Sequence, residues 1–98
     1  MSTMEAYKAE LERFLEGFGA NVRRVRGAKS PPCSQERLSD ATRLHRTEIG
    51  KIEQGIVEPR LTTLYILADG LGVTIDELLA GLSVPLERKP SPHSRTWG

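Results

Sequence analysis

Cysteine is nearly missing from this sequence, with Cys33 the only one in 98 residues. A lone thiol cannot close an internal disulfide, nor supply the paired cysteines of a structural zinc site. The two histidines, His45 and His93, lie far apart, and His93 sits among prolines. No metal site and no cofactor is therefore expected. Low cysteine use fits a reducing compartment, so the cytoplasm is the expected location. Long apolar runs are missing too. None approaches the roughly 18 residues of a membrane span, so no membrane contact is expected. Met1 to Ala20 alternates charge with apolar residues and carries more Glu than Lys or Arg, which is the wrong chemistry for a secretory signal.

Net charge is also scarce, at +1, so bulk basicity does not argue for a polyanionic partner. Its distribution is more informative. Nine Lys/Arg (Arg23, Arg24, Arg26, Lys29, Arg37, Arg43, Arg46, Lys51, Arg60) stand between Val22 and Arg60 against five acids (Glu36, Asp40, Glu48, Glu53, Glu58), a local +4. Residues 1–21 carry −2, residues 61–82 carry −3 and residues 83–98 carry +2. A positive middle between acidic flanks suits one face that meets a polyanion, and it equally suits a solvated helical surface.

Period-two alternation is missing as well, so no strand is expected, and no internal repeat is visible. The length argues for one domain with a single modest core. From Thr3 to Lys29, Tyr7, Leu11, Phe14, Phe18, Val22 and Val25 recur every three or four residues, the period of one helical face. Gly17 and Gly19 interrupt it, each at about 1 kcal/mol relative to Ala, so the segment reads as one weakened helix or as two. Ser30-Pro31-Pro32-Cys33 is a break. Ser34 then suits an N-cap for a short helix from Gln35 to Thr42, with Leu38 and Ala41 inward. Arg43 and Leu44 make a turn. A second short helix opens at His45 and runs to about Gln54, with Ile49 and Ile52 inward, and Gly55 stops it.

After a loop holding Pro59, residues 61–71 read as a helix with Leu61, Leu64, Leu67, Ala68 and Leu71 on one side. Thr74 caps a last short helix from Ile75 to Ala80. The expected core is Val22, Val25, Leu38, Ala41, Leu44, Ile49, Ile52, Leu61, Leu64, Leu67, Leu71, Ile75 and Leu78. From Ser83 onward, three prolines and little apolar content read as a flexible tail. The expected organisation is all-α: an N-terminal helical extension over residues 1–17, a five-helix domain over 18–82 and the tail over 83–98.

Two short helices joined by a tight turn, Ser34 to Gln54, form the helix-turn-helix pattern. The first helix braces the second, whose N-terminal side chains project at base edges. Ile49 and Ile52 point inward, leaving Arg46, Thr47, Gly50 and Lys51 outward. From about Phe18 to Leu82 the sequence resembles the helix-turn-helix domain of the phage repressor and Cro type, the XRE family. The resemblance is carried by Val22-Arg-Arg-Val-Arg26, Ser34-Gln-Glu-Arg-Leu-Ser39, Leu44-His-Arg-Thr-Glu-Ile-Gly-Lys-Ile-Glu-Gln-Gly55, Pro59-Arg-Leu-Thr-Thr-Leu64 and Leu71-Gly-Val-Thr-Ile-Asp-Glu-Leu-Leu79. Each stretch is weak by itself; their order and spacing together are specific.

The resemblance implies a repressor-like fold and a sequence-specific, double-stranded DNA-binding transcriptional regulator. It gives Gln35 a phosphate contact and a buttressing role. It places Arg46 and Thr47 at the first exposed recognition positions, where arginine suits guanine O6 and N7 and the threonine methyl suits thymine. Lys51, about a turn on, suits a base or a phosphate. His45 aligns with the helix cap and is a phosphate contact or a plain turn residue. Arg60 aligns with a position reaching the backbone or minor groove, or is a solvated cap residue. Glu48 suits a cytosine N4 or points along the protein, and the second reading is preferred. Arg26 and Glu53 align with a structural ion pair.

Three positions depart from the family pattern. Arg43 replaces the usual turn glycine, at roughly 1–2 kcal/mol if that position needs φ > 0. Ser39 replaces the usual alanine. The loop Ser30 to Cys33 is two residues longer than the usual link. A short recognition helix reads few base pairs, so a homodimer on a pseudo-palindrome is expected, with Tyr7, Leu11 and Phe14 packing on their own domain or on a second copy. The alternative is a protein-binding module of the same fold, antitoxin-like or an anti-regulator subunit, with a protein partner. No enzyme signature is visible: no nucleophile elbow, phosphate-binding loop or carboxylate pair.

Overall fold

The structure is a computed structural model that describes residues 3–83. Apart from Ser83, the tail expected over residues 83–98 lies outside the described residues. Five helices follow in order: α1 Thr3–Gly27, α2 Gln35–Thr42, α3 Arg46–Glu53, α4 Leu61–Leu71 and α5 Ile75–Leu78. No strand occurs among the described residues. Helix α3 is a residue shorter at each end than expected, because His45 caps it from outside, and α5 ends two residues early, at Leu78.

Helix α1 runs unbroken through both glycines for 25 residues, about 37 Å at 1.5 Å per residue. Packing explains why Gly19 is tolerated. It is buried, and a Cβ there would collide with the carbonyl oxygens of Ile52 and Glu53 at the end of α3. Glycine thus lets two helix backbones touch, which outweighs its weak helix propensity. Gly17 plays a similar part beneath Leu82, whose Cδ2 would lie 2.7 Å from a Cβ. Exposure falls along one face of α1, from Met4 at 78% and Tyr7 at 41% to Phe18 at 2%.

Phe18, Val22, Leu38, Ile49, Ile52, Leu67, Ala68, Leu71 and Leu78 form the core. Helix α1 packs on α3 and α5, α2 on α3 and α4, and α4 on α5. Two expected core residues are outside it. Leu61, the first residue of α4, is 69% exposed, because the buried stripe of that helix runs through Thr63, Leu67, Ala68 and Leu71. Ala41 is exposed. Gly70 brings α4 against Leu38 and Thr42 of α2, so α2 meets its neighbour through those residues and turns Ala41 to solvent. Val25, Leu44, Leu64 and Ile75 pack on the core while partly exposed.

The turn between α2 and α3 does use the left-handed region: Arg43 has φ 64 and ψ 11. Neighbouring hydroxyls hold it there. Ser39 Oγ donates to the Leu44 carbonyl at 2.6 Å, Thr42 Oγ1 donates to the Leu38 carbonyl at 2.6 Å, and Thr42 Oγ1 accepts from the Leu44 N–H at 3.2 Å. The Ser39 departure therefore supplies a turn contact that alanine lacks. Arg43→Gly is expected to stabilise the protein by about 1 kcal/mol, the left-handed penalty less the added freedom of the unfolded chain. For a domain of this size that is a rise of roughly 4–8 °C in Tm, readable by thermal denaturation; an unchanged or lower Tm would show the turn to be unstrained.

Candidate nucleic-acid interface

Helix α3 has eight residues and two unlike faces. Ile49 and Ile52 are at most 1% exposed, while Arg46, Thr47, Glu48 and Lys51 are exposed. Eight residues are too few for a helix to persist alone, so its position depends on both ends being held.

The N-terminal end is held by His45 and Glu36. His45 Nδ1 accepts from the Thr47 N–H at 3.0 Å, satisfying one of the unpaired donors of the first turn. An accepting Nδ1 leaves Nε2 as the protonated ring nitrogen, free to donate outward. Arg46 Nη1 lies 2.9 Å from Glu36 Oε1 of α2. Helix α2 is capped in turn by Ser34, whose Oγ accepts from the Arg37 N–H at 3.1 Å.

The C-terminal end is held by Glu53, whose side chain is 1% exposed. Arg26 donates to both its oxygens, Nε to Oε2 at 2.8 Å and Nη2 to Oε1 at 2.9 Å. Gln35 Nε2 donates to Oε1 at 3.0 Å, and Arg23 Nε stands 3.7 Å away. Arg26 Nη1 also reaches the Cys33 carbonyl at 3.0 Å, and the Cys33 N–H donates back to the Arg26 carbonyl. One guanidinium thus clamps α1, the longer Ser30–Cys33 loop and α3. Burial pushes the Glu53 carboxyl up. The hydrogen bonds from Arg26 and Gln35 and the charges of Arg26 and Arg23 outweigh it, and the group ends below its ordinary value. Arg26 is shifted upward by its hydrogen bond to Glu53 and stays cationic. No buried side-chain polar atom among the described residues lacks a partner.

Of the residues expected to meet DNA, Arg46, Thr47, Lys51 and Arg60 each share a surface depression with His45, while Gln35 lies at the other end of α3 beside Glu53. Thr47, Glu48, Lys51, Glu58 and Arg60 line an open groove between α3 and the start of α4, and His45 forms part of its wall. His45 also borders a second depression, shared with Glu36, Ser39, Asp40 and Arg46. Arg60 is the N-cap residue of α4 and makes no side-chain cap bond. Gln35 is turned toward Glu53, so its buttressing contact is present. Two contributors escaped the sequence reading. Arg23 is three residues before Arg26, a helical spacing that signals it in hindsight. Glu36 is ten residues from Arg46, and no local pattern links them.

A short polar-faced helix, capped outside, braced by a second helix across a tight turn and anchored by a buried ion pair, defines a helix-turn-helix nucleic-acid-binding protein. The comparisons agree. A family model described as helix-turn-helix matches residues 33–78. The SPbeta prophage-derived HTH-type transcriptional regulator YonR of Bacillus subtilis is 41% identical over 65% of this chain, and the match spans only 57% of that protein. The control protein C.SmaI of Serratia marcescens is 41% identical, with 65% of this chain and 74% of that protein covered. The crystal structure of the restriction-modification controller protein C.AhdI from Aeromonas hydrophila superposes with a TM-score of 0.61 at 34% identity, covering 65% of this chain and 94% of that one. The chain belongs to the XRE-type helix-turn-helix family of DNA-binding transcriptional regulators. No helix among the described residues is long and apolar enough to cross a membrane.

Proposed function

We propose that this chain binds double-stranded DNA sequence-specifically, as a homodimer on a pseudo-palindromic operator, with the first turn of α3 in the major groove. The observation that carries this reading is the exposure of Arg46, Thr47 and Lys51 on a helix whose other face is locked into the core. Arg46 would read a guanine, Thr47 a thymine methyl, and Lys51 a base or a phosphate. Gln35 keeps a second amide N–H, His45 its Nε2–H and Arg60 its guanidinium for the sugar-phosphate backbone, which sets register rather than sequence. Eight residues read only a few base pairs, which is the reason for two copies. Met4 and Tyr7, exposed near the start of α1, offer a second copy an apolar surface continuous with Leu11 and Phe14. The reading includes no catalytic activity and places the protein in the cytoplasm.

Selection from a random duplex library is the direct test. A two-fold symmetric motif is expected. Arg46→Ala should weaken binding to it by roughly 1–3 kcal/mol and relax one base position, while Lys51→Ala, if it meets phosphate, should weaken all duplexes alike and lower the salt slope by about 1. The absence of any enriched sequence at low salt would refute the reading. For the dimer, light scattering of Tyr7→Glu on the full chain is expected to show dissociation toward monomer; an unshifted dimer places the interface elsewhere.

A second reading is favoured by Glu48 and Glu58, which share the groove with Lys51 and Arg60 and would face phosphates. Under it the fold serves as an antitoxin-like or anti-regulator module for a protein partner, and Arg46→Ala with Lys51→Ala leaves activity intact.

A further inference from the structure

Arg46 is not free to roam the surface. Its Nη1 donates to Glu36 Oε1 at 2.9 Å, although both side chains are largely exposed, at 61% and 74%. The partner sits in the first turn of α2, directly after Gln35, whose amide is fixed on Glu53. The bracing helix therefore contacts the recognition helix at both ends: Gln35 through the last residue of α3 and Glu36 through the first. Asp40, one turn beyond Glu36 on α2, lines the same depression.

We propose that Glu36 is a specificity-determining residue: by holding Nη1 of Arg46 it presents the opposite Nε/Nη2 edge of the guanidinium to a guanine. This rests on the reading of α3 as a major-groove helix. A guanidinium carries five N–H donors in a rigid plane. With Nη1 engaged by a carboxylate, the Nε/Nη2 edge still has two parallel donors, the arrangement that matches guanine O6 and N7. Glu36 need not be displaced on binding, because it occupies the other side of the plane. The same carboxylate offsets the charge of Arg46, and Asp40 adds a second negative charge nearby. Together they make this corner a poor phosphate site while leaving it fit for a neutral base edge. Sequence-independent attraction, which comes from phosphate neutralisation, is thereby reduced at the position where a base is to be read.

The test compares two short duplexes: the sequence that wins selection with the unmodified full chain, and a scramble of it. Glu36→Gln removes the charge and keeps the shape. It is expected to weaken the selected duplex about two- to tenfold, the effect of having to order one long side chain on binding, and to bind the scramble no more weakly than the unmodified chain does. A repeated selection with Glu36→Gln should lose its guanine preference at a single position of each half-site. In an Arg46→Ala background the Gln substitution should leave the ratio of the two affinities unchanged, because the coupling acts only through that side chain. An unaltered ratio in the single variant overturns the proposal. So does a fall in the ratio that persists without Arg46, since Glu36 would then act on the bases by itself and not by holding Arg46. An unmodified chain that binds both duplexes equally overturns the sequence-specific reading itself, and this inference with it.

Discussion

Arg26→Ala is expected to destabilise the protein by about 3–5 kcal/mol, the loss seen when a buried ion pair is deprived of one partner. Small domains have total stabilities of about 5–15 kcal/mol, so this variant should be barely folded at room temperature. The large effect follows from the Glu53 carboxylate, which is 1% exposed and would lose two hydrogen bonds at once. Gln35 and the more distant Arg23 remain but cannot replace a bidentate cation. Urea denaturation at neutral pH measures the loss, and a change below about 1 kcal/mol would mean that water or Arg23 takes over the role.

The same pair gives the stability a pH signature. In the folded protein Glu53 titrates below its ordinary value. Its contribution is therefore present above the unfolded carboxyl pKa, about 4.3, and is lost as pH falls through the lower folded value. Without Arg26 burial dominates and the carboxyl moves up, so the variant gains stability on protonation. The gap between the two proteins should narrow as pH falls toward 4 and below. A gap that stays constant into acid would show that the charge of Glu53 contributes nothing through the pair. Recognition depends on this contact because α3 ends on it: a variant that stays folded should bind its selected duplex less well while Arg46 and Thr47 are untouched.

Gly19→Ala should be the second largest effect, and its sign is opposite to the one helix propensity gives. Within an isolated helix the change stabilises by about 1 kcal/mol. Here the added methyl meets the carbonyl oxygens of Ile52 and Glu53, backbone atoms that move only if α3 moves. Overpacking of this kind destabilises by typically 1–3 kcal/mol, and against backbone atoms the upper part of that range applies, so a net loss of up to about 2 kcal/mol is expected after the propensity gain. The displaced helix should also bind DNA more weakly, whereas Ala at half-buried Gly50, where a Cβ meets nothing within 4 Å of the protein, should not destabilise the fold. Parallel thermal melts of the Ala variants at 17, 19 and 50 would show the order; a stabilised Gly19→Ala would mean that α1 and α3 are further apart than described.

The helices were legible because their apolar spacing and their caps are local signals. Ser34 and Thr74 precede runs that need a cap, and both side chains accept a first-turn N–H. Ile49 and Ile52 are three apart, and both are buried. The ion pair of Arg26 with Glu53 was legible only through family resemblance, since no rule of spacing connects residues 27 apart. Ala41 and Leu61 were misplaced for a related reason. Periodicity says that a face is apolar, but where a helix is eight residues long, or at its first turn, the neighbouring helix decides which residues it covers.

The all-helical class, the order of the four helices after Gly27 and the polar face of α3 follow from the sequence, because each depends on residues within a turn or two of one another. Only the tertiary structure decided that α1 continues through Gly17 and Gly19, that Gln35 turns toward Glu53, that Arg23 joins that cluster and that Glu36 holds Arg46. Each of these depends on which backbones approach closely enough to exclude a side chain or share a charge, and that distance is set by packing across the whole domain.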